Sequence, residues 1–473
     1  MKVLFAAAEA APFIKVGGLG DVIGGLPKAL INKGVDARVV MPLYKQISDE
    51  YKSKMEFVKA IYVRNSWRVN YCGIFKLEFD GVIFYFLDNE QYFHRDKIYG
   101  AYDEGEIFAF LSRAALDVLP VLDFKPDIIH VHDWHTAILP VYLNAFYREN
   151  EFYKYIKTVL SIHNIAFQGK FNPYNLGQLF GLDESKKSIL MYDGDLNILK
   201  GGIEAANLVL TVSKSYAEEI LGETHSFGLH HILNARSGKV DGIANGIDTS
   251  VFSPETDDNL SLNYSLSTVY NKQINKLALQ RSLALYEDEN IPIIGMVSRL
   301  TEQKGLDLIG AVMHELENLN IQFIILGTGD SKYENMFRDW EWRRHDKIRG
   351  IIKYDGALSS QIYGGADFLL MPSKSEPCGI SQMIAMRYGT IPIVHTVGGL
   401  RDTVEAYDPE TKSGCGITFQ SFNAYDMLDA VKRAIGIYYD KPHFKILQKN
   451  AMQKDLGWER AAGEYIAAYR SIL

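Results

Sequence analysis

"DFLLMPSKSEPCGISQMIAMRYGTIPIVHTVGGLRDTV", residues 367–404, opens on one short apolar run, DFLLM, and carries a second, TIPIVHT, with a stretch of helical apolar spacing between them. Runs of this length, bounded by turn formers, suit strands buried on both faces, and the order strand, helix, strand makes the two strands parallel. Ligands of such sheets bind beyond the carboxyl ends of the strands, so the residues directly after DFLLM are the first place to look for chemistry. Glu376 stands before Pro377, a residue suited to the opening turn of a helix. That order predicts a carboxylate near a helix N-terminus, with the amides of Cys378, Gly379 and Ile380 turned outward. A carboxylate and free amides together grip a sugar hydroxyl and a phosphate. The simpler reading of Glu376 is a charge that complements the helix dipole.

The same alternation runs along the whole chain. VDARVVM (35–41), VIFYFLD (82–88), DIIHVHD (127–133), TVLSIHN (158–164) and ANLVLTVS (206–213) make a first series; PIIGMVS (292–298), FIILGTG (323–329), DFLLMPS (367–373) and TIPIVHT (390–396) make a second. Each series predicts a doubly wound α/β layer. A chain of 473 residues exceeds what one hydrophobic core usually serves, so two domains are expected. Residues 240–260, VDGIANGIDTSVFSPETDDNL, are rich in turn formers and acids and place the hinge at about 240–254. The expected organisation is a Rossmann-like domain over 1–240, a second over 241–456, and a final helix over 457–473. Two such halves facing each other form one deep cleft.

Composition narrows the function. Hydrophobic residues make up 47% and charged residues 23% of the chain, an ordinary globular balance. The formal net charge of −8 argues against a nucleic-acid surface, which calls for clustered Lys and Arg, so any anionic ligand has to be met locally. Cys72, Cys378 and Cys415 are odd in number and far apart, a pattern that fits a reducing compartment. The opening MKVLFAAAEAAPF resembles a signal peptide until Glu9 interrupts its apolar run, and a buried first strand is the better reading. No stretch approaches the roughly 18 apolar residues of a membrane span. A soluble, cytoplasmic protein without membrane or nucleic-acid partners is expected.

Three further stretches carry candidate chemistry. KVGGLGDVIGG (15–25) sets glycines beside Lys15 and Asp21 after the first strand; a Gly-rich turn there lets backbone amides approach a phosphate or a sugar hydroxyl. Its spacing is neither that of the dinucleotide fingerprint nor that of a Walker loop, and a tight strand-to-helix turn is the plain alternative. GMVSRLTEQKGLD (295–307) puts Arg299 and Lys304 just past another strand, a planar fork and a mobile point charge suited to clamping a diphosphate, or else two solvated cations beside a turn. HVHDWHTA (130–137) and SIHNIAFQG (161–169) end strands of the first series. His130, His132 and His135 lack the thiols or carboxylate pair of a metal set, and no metal is expected. Asp133 and Trp134 suit sugar recognition better, by hydroxyl hydrogen bonds and indole stacking. The acidic triplet DGD (193–195) reads as a loop without a role.

KVGGLGDV, HDWHTA, HNIAFQG, LTVSKSYAEEI, GIANGIDT, SRLTEQKGLD and the long SEPCGISQMIAMRYGTIPIVHTVGGLRDTV occur in this order from residue 15 to 404. Together they make the chain resemble the bacterial glycogen synthase and plant starch synthase family over essentially its full length, with the Glu-Pro-Cys-Gly block the most specific part. The resemblance implies a retaining GT-B glycosyltransferase that uses a nucleotide-activated glucose. It implies that Lys15, Gly18 and Asp21 line the donor and acceptor side of the cleft, that Arg299 and Lys304 clamp the diphosphate, and that Glu376 holds glucose hydroxyls with the amides at Cys378, Gly379 and Ile380. By the same resemblance His163 and Asn164 stand beside the anomeric carbon, Asn245 lies at the hinge, Tyr354 is a candidate for packing against the base, and the final helix crosses back to the first domain. Many GT-B relatives carry a second glutamate eight residues after the first, which reaches the ribose; here that position is Ile384, which fits the glycogen and starch synthase branch and leaves the ribose contact unassigned.

The implied reaction is transfer of glucose from ADP-glucose to the non-reducing end of an α-1,4-glucan with retention, with no cofactor. The implied catalytic set is Glu376, His163, Arg299, Lys304 and Lys15. Rival readings are a GT-B enzyme that uses UDP-glucose or another acceptor, a glucan phosphorylase, and a glucan-binding relative without activity.

Overall fold

A computed structural model of the chain describes residues 1–236 and 240–473. The chain divides into two compact units, one of Met1–Gly246 with Trp458–Leu473 and the other of Ile247–Gly457.

The first unit contains β1 (Lys2–Ala6), β2 (Asp36–Pro42), β3 (Glu56–Asn65), β4 (Arg68–Phe79), β5 (Val82–Asp88), β6 (Ile128–His132), β7 (Lys157–Ile162), β8 (Lys170–Phe171), β9 (Met191–Tyr192), β10 (Asp195–Asn197), β11 (Leu208–Thr211) and β12 (Val240–Gly242). Its main sheet runs β12-β11-β7-β6-β1-β2-β5-β4-β3. Pairing is parallel from β12 to β5 and antiparallel from β5 through β4 to β3. The apolar opening run forms the central β1, and Val3 through Ala8 are 0% exposed. Chain order reverses between β1 and β6, so the loops after these two strands share the crevice where sheets of this type bind ligands.

Two sequence expectations fail here, each for a physical reason. The sheet is mixed, because EFVKAIYVRN and RVNYCGIFKLEF form an antiparallel hairpin whose outer strand β3 is largely exposed. Their apolar stretches, AIYV (60–63) and YCGIF (71–75), carry no turn signal between them, since the Ser66–Trp67 turn lacks the Asn-Gly or Asp-Gly of a tight hairpin. The DGD triplet is not a free loop either. Asp193 and Gly194, with φ of 50° and 85°, form the two-residue turn between the antiparallel β9 and β10, which demands residues tolerant of positive φ at both positions.

The second unit is a six-stranded sheet of β13 (Ile293–Val297), β14 (Gln322–Leu326), β15 (Ile348–Ile351), β16 (Phe368–Met371), β17 (Ile391–His395) and β18 (Ile417–Phe419) in the order β15-β14-β13-β16-β17-β18. All pairs are parallel. Counted along the unit, this is the 3-2-1-4-5-6 order of a nucleotide-binding Rossmann sheet, whose crevice opens beyond the ends of its first and fourth strands. Those are β13 and β16.

The chain leaves the first unit after Gly246 and rejoins it at Trp458. Helix Trp458–Arg470 packs on helix Gly18–Asn32. A Cβ on Gly25 would lie 2.1 Å from Trp458 Nε1, so only glycine admits the indole there. At the far end of the same helix, Tyr469 Oη lies 2.8 Å from His130 Nδ1. Among the described residues no helix is long and apolar enough to cross a membrane.

Candidate functional site

In the first unit the glycine loop is organised by a residue that sequence reasoning passed over. Glu9, buried just after β1, accepts hydrogen bonds from Val16 N (2.6 Å) and Gly17 N (3.0 Å) at Oε2, and from the Tyr99 hydroxyl (2.6 Å) at Oε1. These two loop amides therefore meet the chain's own carboxyl group rather than a ligand, which corrects the expectation that they cradle an anion. Helix Gly18–Asn32 has no side-chain cap at Gly17, and Glu9 supplies the acceptor its approach requires. Lys15 Nζ contacts Asp21 Oδ1 at 2.7 Å, and the stem of Lys15 lies over Gly20, where a Cβ would approach its Cγ to 3.1 Å. Burial raises the Asp21 carboxyl above its ordinary range, against the pull of Lys15. A single acid breaking an apolar run directly after a strand is the signal that pointed to Glu9.

Beyond β6 and β7 the structure brings Asp133, His163 and Asn164 together. Asp133 has φ of 51°, a costly conformation for a residue with a Cβ, and its Oδ1 accepts from His163 N (2.7 Å) and Asn164 N (3.3 Å). Burial pushes this carboxyl up to about 7, with the two amides pulling it back. His163 is half-buried, and burial lowers it to about 4, so its ring is neutral at physiological pH. Its Nε2 lies 3.0 Å from Nδ1 of His132, a buried residue outside the expected site. Asn245, just past β12, is buried, and its Oδ1 finds no hydrogen-bond partner among the described residues. Trp134 corrects the sugar-stacking expectation. It is 7% exposed and packs against Phe108, His135 and Phe171, and a Cβ on Gly169 would press to 2.3 Å from its ring.

The second unit assembles its residues at the predicted crevice. Arg299 and Lys304 follow β13 and Glu376 follows β16. Lys304 Nζ and Glu376 Oε2 form a 2.6 Å ion pair whose side chains are 15% and 8% exposed. Ser373 Oγ donates to the same oxygen at 2.9 Å. Arg299 is exposed, as is Tyr354 at 90%. Gly305, with φ of 71°, lets the turn after Lys304 close, since a Cβ there would sit 1.9 Å from the Pro372 carbonyl oxygen. The helix expected to open at Pro377 begins instead at Ser381 (Ser381–Arg387). Gly379, with φ of 74°, takes a left-handed conformation that no helical turn accepts, so residues 376–380 form a separate loop. Gln382 Nε2 ties that loop down by donating to the carbonyls of Cys378 and Gly379, both at 3.1 Å. Ile384 is buried in that helix.

Gly399 N donates to the Glu376 carbonyl at 2.9 Å, and a Cβ on Gly399 would stand 2.1 Å from the Cys378 carbonyl oxygen. Gly399→Ala therefore has to displace the loop that carries Glu376. Displacements of about 1 Å in a positioning group cost on the order of 10²-fold in rate, and a loss of that size is expected in initial-rate assays. Full activity in a folded Gly399→Ala protein would show that the loop does not hold the reacting groups.

Among the described residues no group of three or more His, Cys, Asp or Glu side chains is arranged to hold a metal ion. Cys72, Cys378 and Cys415 are buried and none is in a disulfide.

Comparison with known proteins gives the family. Residues 2–235 match the family model of the starch synthase catalytic domain, and residues 278–451 match that of glycosyl transferases group 1. Over their full lengths, the chain is 46% identical to a glycogen synthase from Alkaliphilus metalliredigens and 48% identical to one from Finegoldia magna. The catalytic domain of starch synthase IV from Arabidopsis thaliana, solved with ADP and acarbose, superposes with a TM-score of 0.90 at 33% identity, covering 100% of this chain and 99% of that one. A sucrose-phosphate synthase from Thermosynechococcus elongatus shares the fold, with a TM-score of 0.63 at 17% identity over 100% of this chain and 98% of that one.

Proposed function

Because the chain belongs to the glycogen and starch synthase family of GT-B glucosyltransferases, we propose that it transfers glucose from ADP-glucose to the non-reducing end of an α-1,4-glucan with retention at the anomeric carbon. The observation that carries this reading is the buried Lys304–Glu376 pair at the crevice of a Rossmann sheet, with the exposed fork of Arg299 beside the same strand end. The ADP bound to the starch synthase relative supports adenine as the base.

The second unit's share of the reaction is charge. When the sugar–phosphate bond breaks, negative charge develops on the leaving diphosphate, and cations already held in place stabilise it without reorganising. Lys304 is fixed by Glu376, and Arg299 offers two parallel donors to phosphate oxygens. The Glu376 carboxylate, with the loop at Cys378, Gly379 and Ile380, holds glucose hydroxyls, and the ring of Tyr354 packs against the base. The first unit's share is orientation. Lys15, Gly18 and Asp21 line the donor and acceptor side, Asp133 holds the backbone of His163 and Asn164, and neutral His163 and Asn245 engage sugar hydroxyls. No carboxylate is assigned as a covalent nucleophile; the glucan O4 adds to the oxocarbenium-like sugar from the face the diphosphate leaves, and its proton passes to the departing phosphate oxygen. A cytoplasmic setting, where nucleotide sugars are made, goes with this reading.

The test is the initial rate of glucose incorporation into glycogen from ADP-glucose and from UDP-glucose at equal concentration, with EDTA present. A strong ADP-glucose preference that EDTA leaves intact is expected. Equal or faster transfer from UDP-glucose would overturn the donor, and loss of activity in EDTA would overturn charge stabilisation by Arg299 and Lys304 alone.

A further inference from the structure

The contact between His163 and His132 leaves a choice that burial decides. His132 Nδ1 and His163 Nε2 are 3.0 Å apart, and burial holds both rings neutral, with His163 lowered to about 4 and His132 well below its ordinary value. A neutral imidazole carries one N–H, so one ring donates and the other accepts. If His163 donates from Nε2, His132 accepts at Nδ1 and must carry its own proton on Nε2. That nitrogen is buried and has no hydrogen-bond partner among the described residues. The ring packs in an aromatic cluster, 5.8 Å from Phe5 and 4.2 Å from His130, which are 5.1 Å from each other. An orphaned buried N–H donor is among the rarest arrangements in folded proteins. If His132 donates instead, its Nε2 is a bare lone pair among rings, and no donor is stranded.

We infer that His132 is a positioning residue that donates from Nδ1 to His163 Nε2, so that His163 keeps its own proton on Nδ1. The hydrogen bond made by one ring nitrogen sets the state of the other, and here it turns the outer edge of His163 into a donor. No described residue hydrogen-bonds to that Nδ1. His163 thus presents an N–H to a substrate oxygen and cannot accept a hydroxyl proton there. The support behind His132 reaches the last helix of the unit: His130, packed against it, is held by Ser161 Oγ at 2.7 Å and by Tyr469 Oη at 2.8 Å.

The inference rests on the proposed role of His163 only for its kinetic consequence, so its test has two arms. Protein labelled with ¹⁵N-histidine is read by long-range ¹⁵N–¹H correlation, with the His163 signals identified by their loss in His163→Gln. Wild type is expected to show His163 protonated on Nδ1, and protonation on Nε2 would overturn the inference. His132→Phe, which keeps a ring and removes the donor, is expected to move the His163 proton toward Nε2 and to lower kcat about tenfold with little change in KM. His132→Asn, whose amide nitrogen lies near the position of Nδ1, is expected to restore both the Nδ1–H form and most of kcat. An unchanged His163 spectrum in His132→Phe would overturn the inference. If that variant does not fold, the wild-type spectrum still decides. Nδ1 protonation in wild type together with full kcat in His163→Ala would support the tautomer while removing His163 from the reaction.

Discussion

Lys304→Ala is expected to lower kcat by on the order of 10²–10³, the usual cost of removing a preorganised group that meets charge developing in the transition state. Arg299→Ala is expected to cost about as much in rate, yet the two variants should part company in stability. Lys304 is inside the protein, 2.6 Å from Glu376. Its removal leaves a buried carboxylate that keeps the hydrogen bond from Ser373 Oγ and exposes the second unit to a destabilisation of about 3–5 kcal/mol. Arg299 is exposed, and its loss should leave unfolding within about 0.5 kcal/mol of wild type. Denaturant titration beside steady-state kinetics separates the two effects. A rate loss below about threefold in both variants would remove the diphosphate clamp, and equal stability of both would contradict the burial of the pair.

The second large effect is acid sensitivity confined to the first unit. Burial lowers His135 to about 3 and His163 to about 4, and takes His130 and His132 well below their ordinary value. A histidine with a depressed folded pKa contributes stability that is fully present above about pH 6.5 and is lost as pH falls toward the folded value, because only the unfolded chain takes up the proton. Asp133 works in the opposite sense. Raised to about 7, it holds a proton in the folded state that the unfolded chain releases above about pH 4, so it offsets one of the four histidines. Near pH 5.5 the net uptake of about three protons on unfolding corresponds to a fall of at most about 4 kcal/mol per pH unit. In the second unit Lys272 is buried and lowered to about 7, so its contribution is lost between about pH 10.5 and 7 and is flat below that. Native-state hydrogen exchange read by mass spectrometry at pH 7.5 and 5.5 should show the first unit opening far more readily at the lower pH and the second little changed. Parallel responses of the two units would overturn the histidine account.

Much of this was open to reading from the chain, and the failures have one shape. VIFYFLD, read as 82–88, is β5 to the residue, and the other continuous apolar runs fall on the parallel strands, because a strand covered on both faces has no polar alternation to hide it. The β3–β4 hairpin escaped because the Ser66–Trp67 turn that joins its strands carries no hairpin signal. At the sites, sequence reading found residues that follow strands and missed those that hold them. Glu9, His132, Ser373 and Gln382 act through the side chains or backbone beside them, and apart from Glu9, whose charge breaks an apolar run, nothing local distinguishes them from ordinary core or cap residues. Pro377 misled for a related reason, since proline suits a loop as well as a first helical turn, and only the backbone of Gly379 decides between them.

The return of helix Trp458–Arg470 to the first unit sets an order on the ribosome. Translation delivers residues 1–246 and then the whole second unit before the indole that fills the space over Gly25 and the phenol that holds His130 have been made. At about 5–20 residues per second, that interval is on the order of 10–40 s. Throughout it the nascent first unit lacks one wall of its core, with an apolar face open to holdase chaperones, while the second unit, unbroken in sequence, is free to fold as it leaves the exit tunnel. The neutral histidine relay behind His163 is therefore among the last features of the molecule to form, and a polypeptide that stops just before Trp458 has a second unit that is whole and a first unit that is not.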